Sequence, residues 1–80
     1  MSEYLMHQGR RAELRRELLK KKTVAEGVRD SLRMELDPVT PVESLDGEKI
    51  LILAAQLVEL QGDISEIEAK LAAIVKIIGK

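Results

Sequence analysis

The stretch ILILAAQLVELQGDISEIEAKLAAIVKII, residues 50–78, decides the fold. Within it Ile50, Leu53, Leu57, Leu60, Ile64, Ile67, Leu71, Ile74 and Ile78 recur at alternating steps of three and four. That spacing is a heptad seam with a period of about 3.5 residues per turn, and it excludes the two-residue alternation of a half-buried strand. Further apolar residues widen the face, Leu51, Ile52 and Val58 at one end and Ala72, Val75 and Ile77 at the other. A face of that width exceeds what one partner helix covers.

Upstream of this segment the chain carries its only two prolines, Pro38 and Pro41. Each removes a backbone donor and disfavours helix in the residue before it, so a break is expected at Asp37-Pro38-Val39-Thr40. Thr40-Pro41-Val42-Glu43 reads as a capping box, with Thr at the N-cap, Pro at the first helical position and Glu three residues in. Asp46 is a rival N-cap, with Gly47 and Glu48 after it. The favoured reading is a single domain over residues 1–80, with a helix at 3–36, a Pro-containing turn at 37–40 and a helix at 41–78.

The first helix is the more polar. Its seam runs through Tyr4, His7, Arg11, Leu14, Leu18, Lys21, Ala25, Val28, Leu32 and Glu35, and Leu5, Ala12 and Leu19 form a parallel stripe seven residues apart. A turn near residue 39 pairs Val28 with Ile50, Ala25 with Leu53, Lys21 with Leu57, Leu18 with Leu60, Leu14 with Ile64, Arg11 with Ile67 and His7 with Leu71. Such a helix cannot cover all of its partner. The expected architecture is therefore all-α: a two-helix antiparallel hairpin, coiled-coil-like, whose copies assemble into a four-helix bundle. The oligomer interface falls on the nine seam residues of the second helix, Ile50 through Ile78.

Composition agrees. Of the 80 residues 45% are apolar, yet the one aromatic is Tyr4 and there is no Cys. A compact domain of this size normally fills its core with aromatics or staples it with disulfides or metal, so the alternative of a long helix and a larger assembly is favoured. The chain is nearly neutral at −1, but residues 1–36 hold nine basic and six acidic groups while residues 37–80 hold four and eight. Two halves of opposite sign suit helices that neutralise each other, for example Arg15 or Arg16 near Asp63 and Glu59.

Chemistry-bearing residues are few. The basic run Arg10, Arg11, Arg15, Arg16, Lys20, Lys21 and Lys22 winds around the first helix and can meet phosphates by charge. Glu13 and Glu17 interrupt it and no aromatic is present to stack a base, so a partner-facing or solvated stripe is the favoured reading. His7 has only Glu3 and a symmetry mate to recruit for a metal, far from a zinc ligand set. Glu59 and Asp63 are neighbours at i and i+4, but general acid-base work needs a cleft that shifts their pKa values. No nucleophile, metal cluster or phosphate loop is visible, so neither enzymatic activity nor a cofactor is expected. The longest near-apolar run, residues 50–58, is about half a membrane span, and the N-terminus lacks the apolar core of a secretory signal. With no Cys, the expectation is a cytoplasmic protein that does not enter a membrane.

The segments MSEYLMHQGR, Leu36-Asp37-Pro38 and LVELQGDISEIEA together resemble small helical proteins encoded in Mu-like prophages. That resemblance implies a helix, a Leu-Asp-Pro break and a second coiled helix. It also implies a phage-linked setting in a bacterial cell, in replication control or particle assembly. It brings no functional residue with it. The sequence thus points to a non-enzymatic, oligomeric helical interaction or scaffold protein; the alternative is a small DNA-associated or regulatory factor that uses the basic stripe.

Overall fold

The computed structural model describes residues 2–78, with two long helices lying antiparallel as an extended hairpin. α1 spans Ser2–Glu35 and α2 spans Gly47–Ile78, with one 3-10 turn at Val42–Ser44 between them. The molecule measures 62 × 16 × 14 Å, with a radius of gyration of 18.0 Å. A compact chain of this length has a radius of about 12 Å, so the hairpin is a rod with no enclosed interior.

The seam of each helix is the one the heptad spacing marks. On α1, Leu14 is buried, and His7, Arg11, Leu18, Lys21, Ala25, Val28, Leu32 and Glu35 are half-buried. On α2, Ile67 and Ile74 are buried, and Ile50, Leu53, Leu57, Leu60, Ile64 and Leu71 are half-buried. The side chains of Tyr4 and Ile78, both assigned to the seams, lie outside the described residues. Leu14, Ile67 and Ile74 form the core cluster, with Leu18 and Leu71 packed against it. The core therefore sits in the half of the rod away from the turn.

The second helix begins later than the expected residue 41. Pro41 has φ −55° and ψ 141°, an extended rather than helical conformation, so it opens the 3-10 turn instead of α2. Thr40 is not free to cap, because its hydroxyl donates to Asp37 Oδ2 at 3.3 Å. Asp37 organises this corner: its Oδ1 accepts from the Val39 N–H at 3.0 Å and its carbonyl from the Thr40 N–H at 3.2 Å. Such self-bonding is what makes Asp before Pro a turn former. After extended Leu45, Asp46 is the N-cap: its carbonyl accepts from Ile50 N–H at 3.0 Å and its Oδ1 from Lys49 N–H at 3.1 Å.

The longer connection moves the register. Lys21 meets Asp63 and Lys49 meets Glu35, and the midpoint of 21 and 63, like that of 35 and 49, is residue 42. The expected pairing centred near residue 39 is thus displaced. Lys21 sits beside Asp63 rather than Leu57, and Val28 lies alongside Gln56 rather than Ile50.

Candidate interaction surface

Among the described residues, ion pairs join the two helices at three places. Lys21 Nζ donates to Asp63 Oδ2 at 3.0 Å, and Lys49 Nζ lies 2.8 Å from Glu35 Oε2. Lys22 and Glu68 form a looser pair at 3.8 Å. The hydrogen bond to Asp63, reinforced by its charge, raises the Lys21 pKa above the usual 10.5. Lys49 is raised in the same way by its hydrogen bond to Glu35. All three pairs are solvent-accessible and contribute little cohesion each; the pairs of Lys21 with Asp63 and Lys49 with Glu35 join residues at the same height, whereas Lys22 reaches diagonally to Glu68. Arg15 and Arg16, expected beside Asp63 and Glu59, are not the partners. The register shift gives that place to Lys21, which stands on the seam itself.

Arg11 is a cation where an apolar residue belongs. Its Nε is shut off from water and has no hydrogen-bond partner. Long basic side chains cover apolar surface with their stems while the head seeks water, and here the first nitrogen of the head is caught on the dry side. His7 lines a shallow groove with Met6, Arg10, Lys70, Ala73 and Ile74. Two cations and no carboxylate border it, which is the opposite of a metal ligand set. Among the described residues no three His, Cys, Asp or Glu side chains converge. Glu59 and Asp63 share an open depression with Lys21, and Asp63 is occupied by that lysine. No described helix is long and apolar enough to cross a membrane.

The basic run divides in two. Lys21 and Lys22 turn toward α2 and are engaged there, whereas Arg10, Arg15, Arg16 and Lys20 are exposed and make no ion pair among the described residues. The apolar surplus divides as well. Of the nine residues read as an oligomer interface, the eight whose side chains are described, Ile50 through Ile74, line the seam facing α1, and Leu5, Leu19, Leu51, Ile52, Val58 and Ile77 remain exposed on the other faces. The solvent-accessible surface is 6225 Å², against about 4,900 Å² for a compact monomer of the same mass. Apolar faces of this extent suit a partner.

No family model, curated protein or solved structure matches this chain. The two-helix hairpin rests on the chain's own seam, turn and register, and the interaction surface is defined by what that hairpin leaves open.

Proposed function

We propose that this chain is a non-enzymatic, self-associating helical interaction or scaffold protein, two hairpins joining as a four-helix bundle. One observation carries the reading. Leu53, Leu57, Leu60, Ile64 and Leu71 face α1 and yet are only partly buried, because α1 offers Ala25, Lys21, Arg11 and His7 on its side of the seam. Burying a whole Leu or Ile contributes ~1.5–3 kcal/mol, and a second hairpin laid over the seam gains at each residue it covers the share that α1 leaves uncovered. The resemblance to small Mu-like prophage proteins supplies the setting of this proposal, a phage-linked assembly in a bacterial cell.

Light scattering behind a sizing column tests it: the expected mass is that of two or more chains, and a folded monomer at micromolar concentration overturns it. Leu57→Asp with Ile64→Asp places unpaired charge in the seam and is expected to dissociate or unfold the protein. Unchanged mass and helicity in that variant also overturn it.

A second reading draws on the unpaired Arg10, Arg15, Arg16 and Lys20: charge-based contact with nucleic acid. It predicts a salt-dependent shift of labelled DNA that is lost when Arg15, Arg16 and Lys20 become Glu. Reversing Lys21 or Lys22 would also break the internal pairs to Asp63 and Glu68 and so cannot isolate that effect.

A further inference from the structure

The two sides of the seam differ. On one, Lys21 reaches Asp63, and Glu17, Glu59, Glu66 and Lys70 stand around that pair. On the other a groove runs over Ala25, Leu57 and Ile64, with Lys22 and Arg29 along its α1 edge. Followed at steps of three and four, its α2 wall continues to Ala54 and Ile50 at one end and to Leu71 and Val75 at the other. All of these apolar residues are half-buried, and Glu68 is the single charge in that row. Leu51 and Val58, 70% and 67% exposed, carry the apolar surface on beyond it. The α1 wall is basic. Arg11, Arg15, Lys22, Arg29 and Arg33 recur along it at steps of four and seven, over about 33 Å of helix, with Glu26 as the one carboxylate between them. Lys22 makes the loose bridge to Glu68, and Arg29 bonds its neighbour Asp30. Arg11, Arg15 and Arg33 make no ion pair among the described residues.

We propose that this groove takes an acidic amphipathic helix of another protein, laid along the hairpin with its carboxylates turned to α1 and an uncharged edge to α2. Both properties are needed. A helix ridge fits the groove between two other helices, and its apolar residues cover the floor that α1 leaves open. Carboxylates along one edge then meet the three arginines that have no ion-pair partner in their own chain among the described residues. Nucleic acid supplies negative charge but nothing apolar to lay over Leu57, Ile64 and Leu71. A second copy of this chain is a poor match on either side. Offering the same side, it brings five more cations and only Glu26 and Glu68 to meet them. Offering the other, its Asp63 and Glu66 are already paired with Lys21 and Lys70. Self-association does not compete for the groove, since a bundle of two hairpins takes one side of each seam and leaves the other.

Fluorescence anisotropy on the full chain tests this. The probe is a labelled helical peptide of about 25 residues, with Leu at heptad spacing and Glu along one edge. One control peptide carries Gln in place of Glu, and a scrambled one keeps the charge without the apolar edge. At physiological salt, where charges beyond about 8 Å are screened, wild type is expected to bind the Glu peptide about tenfold more tightly than the Gln peptide and not to bind the scrambled one. Arg15→Glu with Arg33→Glu is expected to lose that preference. Neither arginine bridges the two helices, so circular dichroism should show helicity retained. Arg10→Glu with Lys20→Glu makes the same change of charge outside the groove and is expected to bind as wild type does. Equal affinity for the Glu peptide and either control, unchanged binding in the Arg15 and Arg33 variant, or equal loss in the Arg10 and Lys20 variant overturns the proposal. A labelled DNA duplex that binds more tightly and displaces the peptide overturns it too, and gives the row to nucleic acid. Light scattering on the same samples reads self-association separately. Peptide bound by a single chain supports the groove while the bundle fails, whereas peptide excluded from a two-chain species places a second copy in the groove and overturns the proposal.

Discussion

Leu14 offers the most direct measure of where the hairpin keeps its stability. Its side chain is 2% exposed and packs into the cluster with Ile67 and Ile74, bordered by Leu18 and Leu71. Truncating a buried Leu to Ala costs ~2–5 kcal/mol, through lost transfer energy and the cavity left behind. The rod is only two helices thick and its sides are open, so neighbours can close in and the cost is expected at about 3 kcal/mol. A domain of 80 residues has ~4–12 kcal/mol in all, so Leu14→Ala removes a large share. Leu19, five residues on, is 68% exposed and has about a third of its side chain to lose, ~0.5–1 kcal/mol. The gap of about 2 kcal/mol is roughly a 30-fold difference in the unfolding equilibrium. Urea unfolding followed by far-UV circular dichroism reads it as a midpoint shift at constant slope. Equal shifts for Leu14→Ala and Leu19→Ala would refute the assignment of the α1 seam.

Three further outcomes follow from single features. Both raised lysines, Lys21 and Lys49, stabilise the folded state fully below the unfolded value of 10.5, and that contribution is lost as pH climbs through their higher folded values. The melting temperature should therefore fall more steeply above that pH in wild type than in Lys21→Met with Lys49→Met; parallel curves would count against the two pairs. Asp46→Ala should lower stability by ~1 kcal/mol while Asp46→Asn keeps most of it, and Glu43→Gln should change nothing, each read by thermal melts. Arg11→Met keeps a flexible stem on the seam and removes the dry, unpartnered Nε, so it should raise stability by ~1 kcal/mol; a lower melting temperature would show that the guanidinium is held by something else.

Much of this molecule was readable from residue spacing. Eight seam positions of the second helix, Ile50 through Ile74, needed no structure, because steps of three and four over that length fit one secondary structure only. Even the polar seam of α1, with Arg11, Lys21 and Glu35 in line with Leu14 and Leu18, followed from continuing the same rhythm. The turn did not. Pro41 fits the first turn of a helix and an extended corner equally well, since its ring fixes φ and leaves ψ open. What tipped the balance is Asp37 drawing in Thr40, a contact across the corner that spacing alone does not reveal. From that one misplacement came the register error, because pairing across a hairpin is set by the length of its connection. The ion pair of Lys21 with Asp63 was missed for this reason, although both charges were plain in the sequence. Leu51 and Val58 were legible as apolar residues beside the seam, but that they stay exposed depends on which side of α2 meets α1.

The 62 Å length of the rod has a consequence for how such a chain changes over time. Each level of the hairpin touches only the levels next to it, so the structure has no central keystone. Removing seven residues from α1 and the seven opposite them from α2 shortens the rod by ~10 Å and returns every remaining side chain to its original bearing. Removing a number that is not a multiple of seven rotates one end against the other. Length here is adjustable in units of the heptad, and the molecule is a ruler whose graduations are its own repeats.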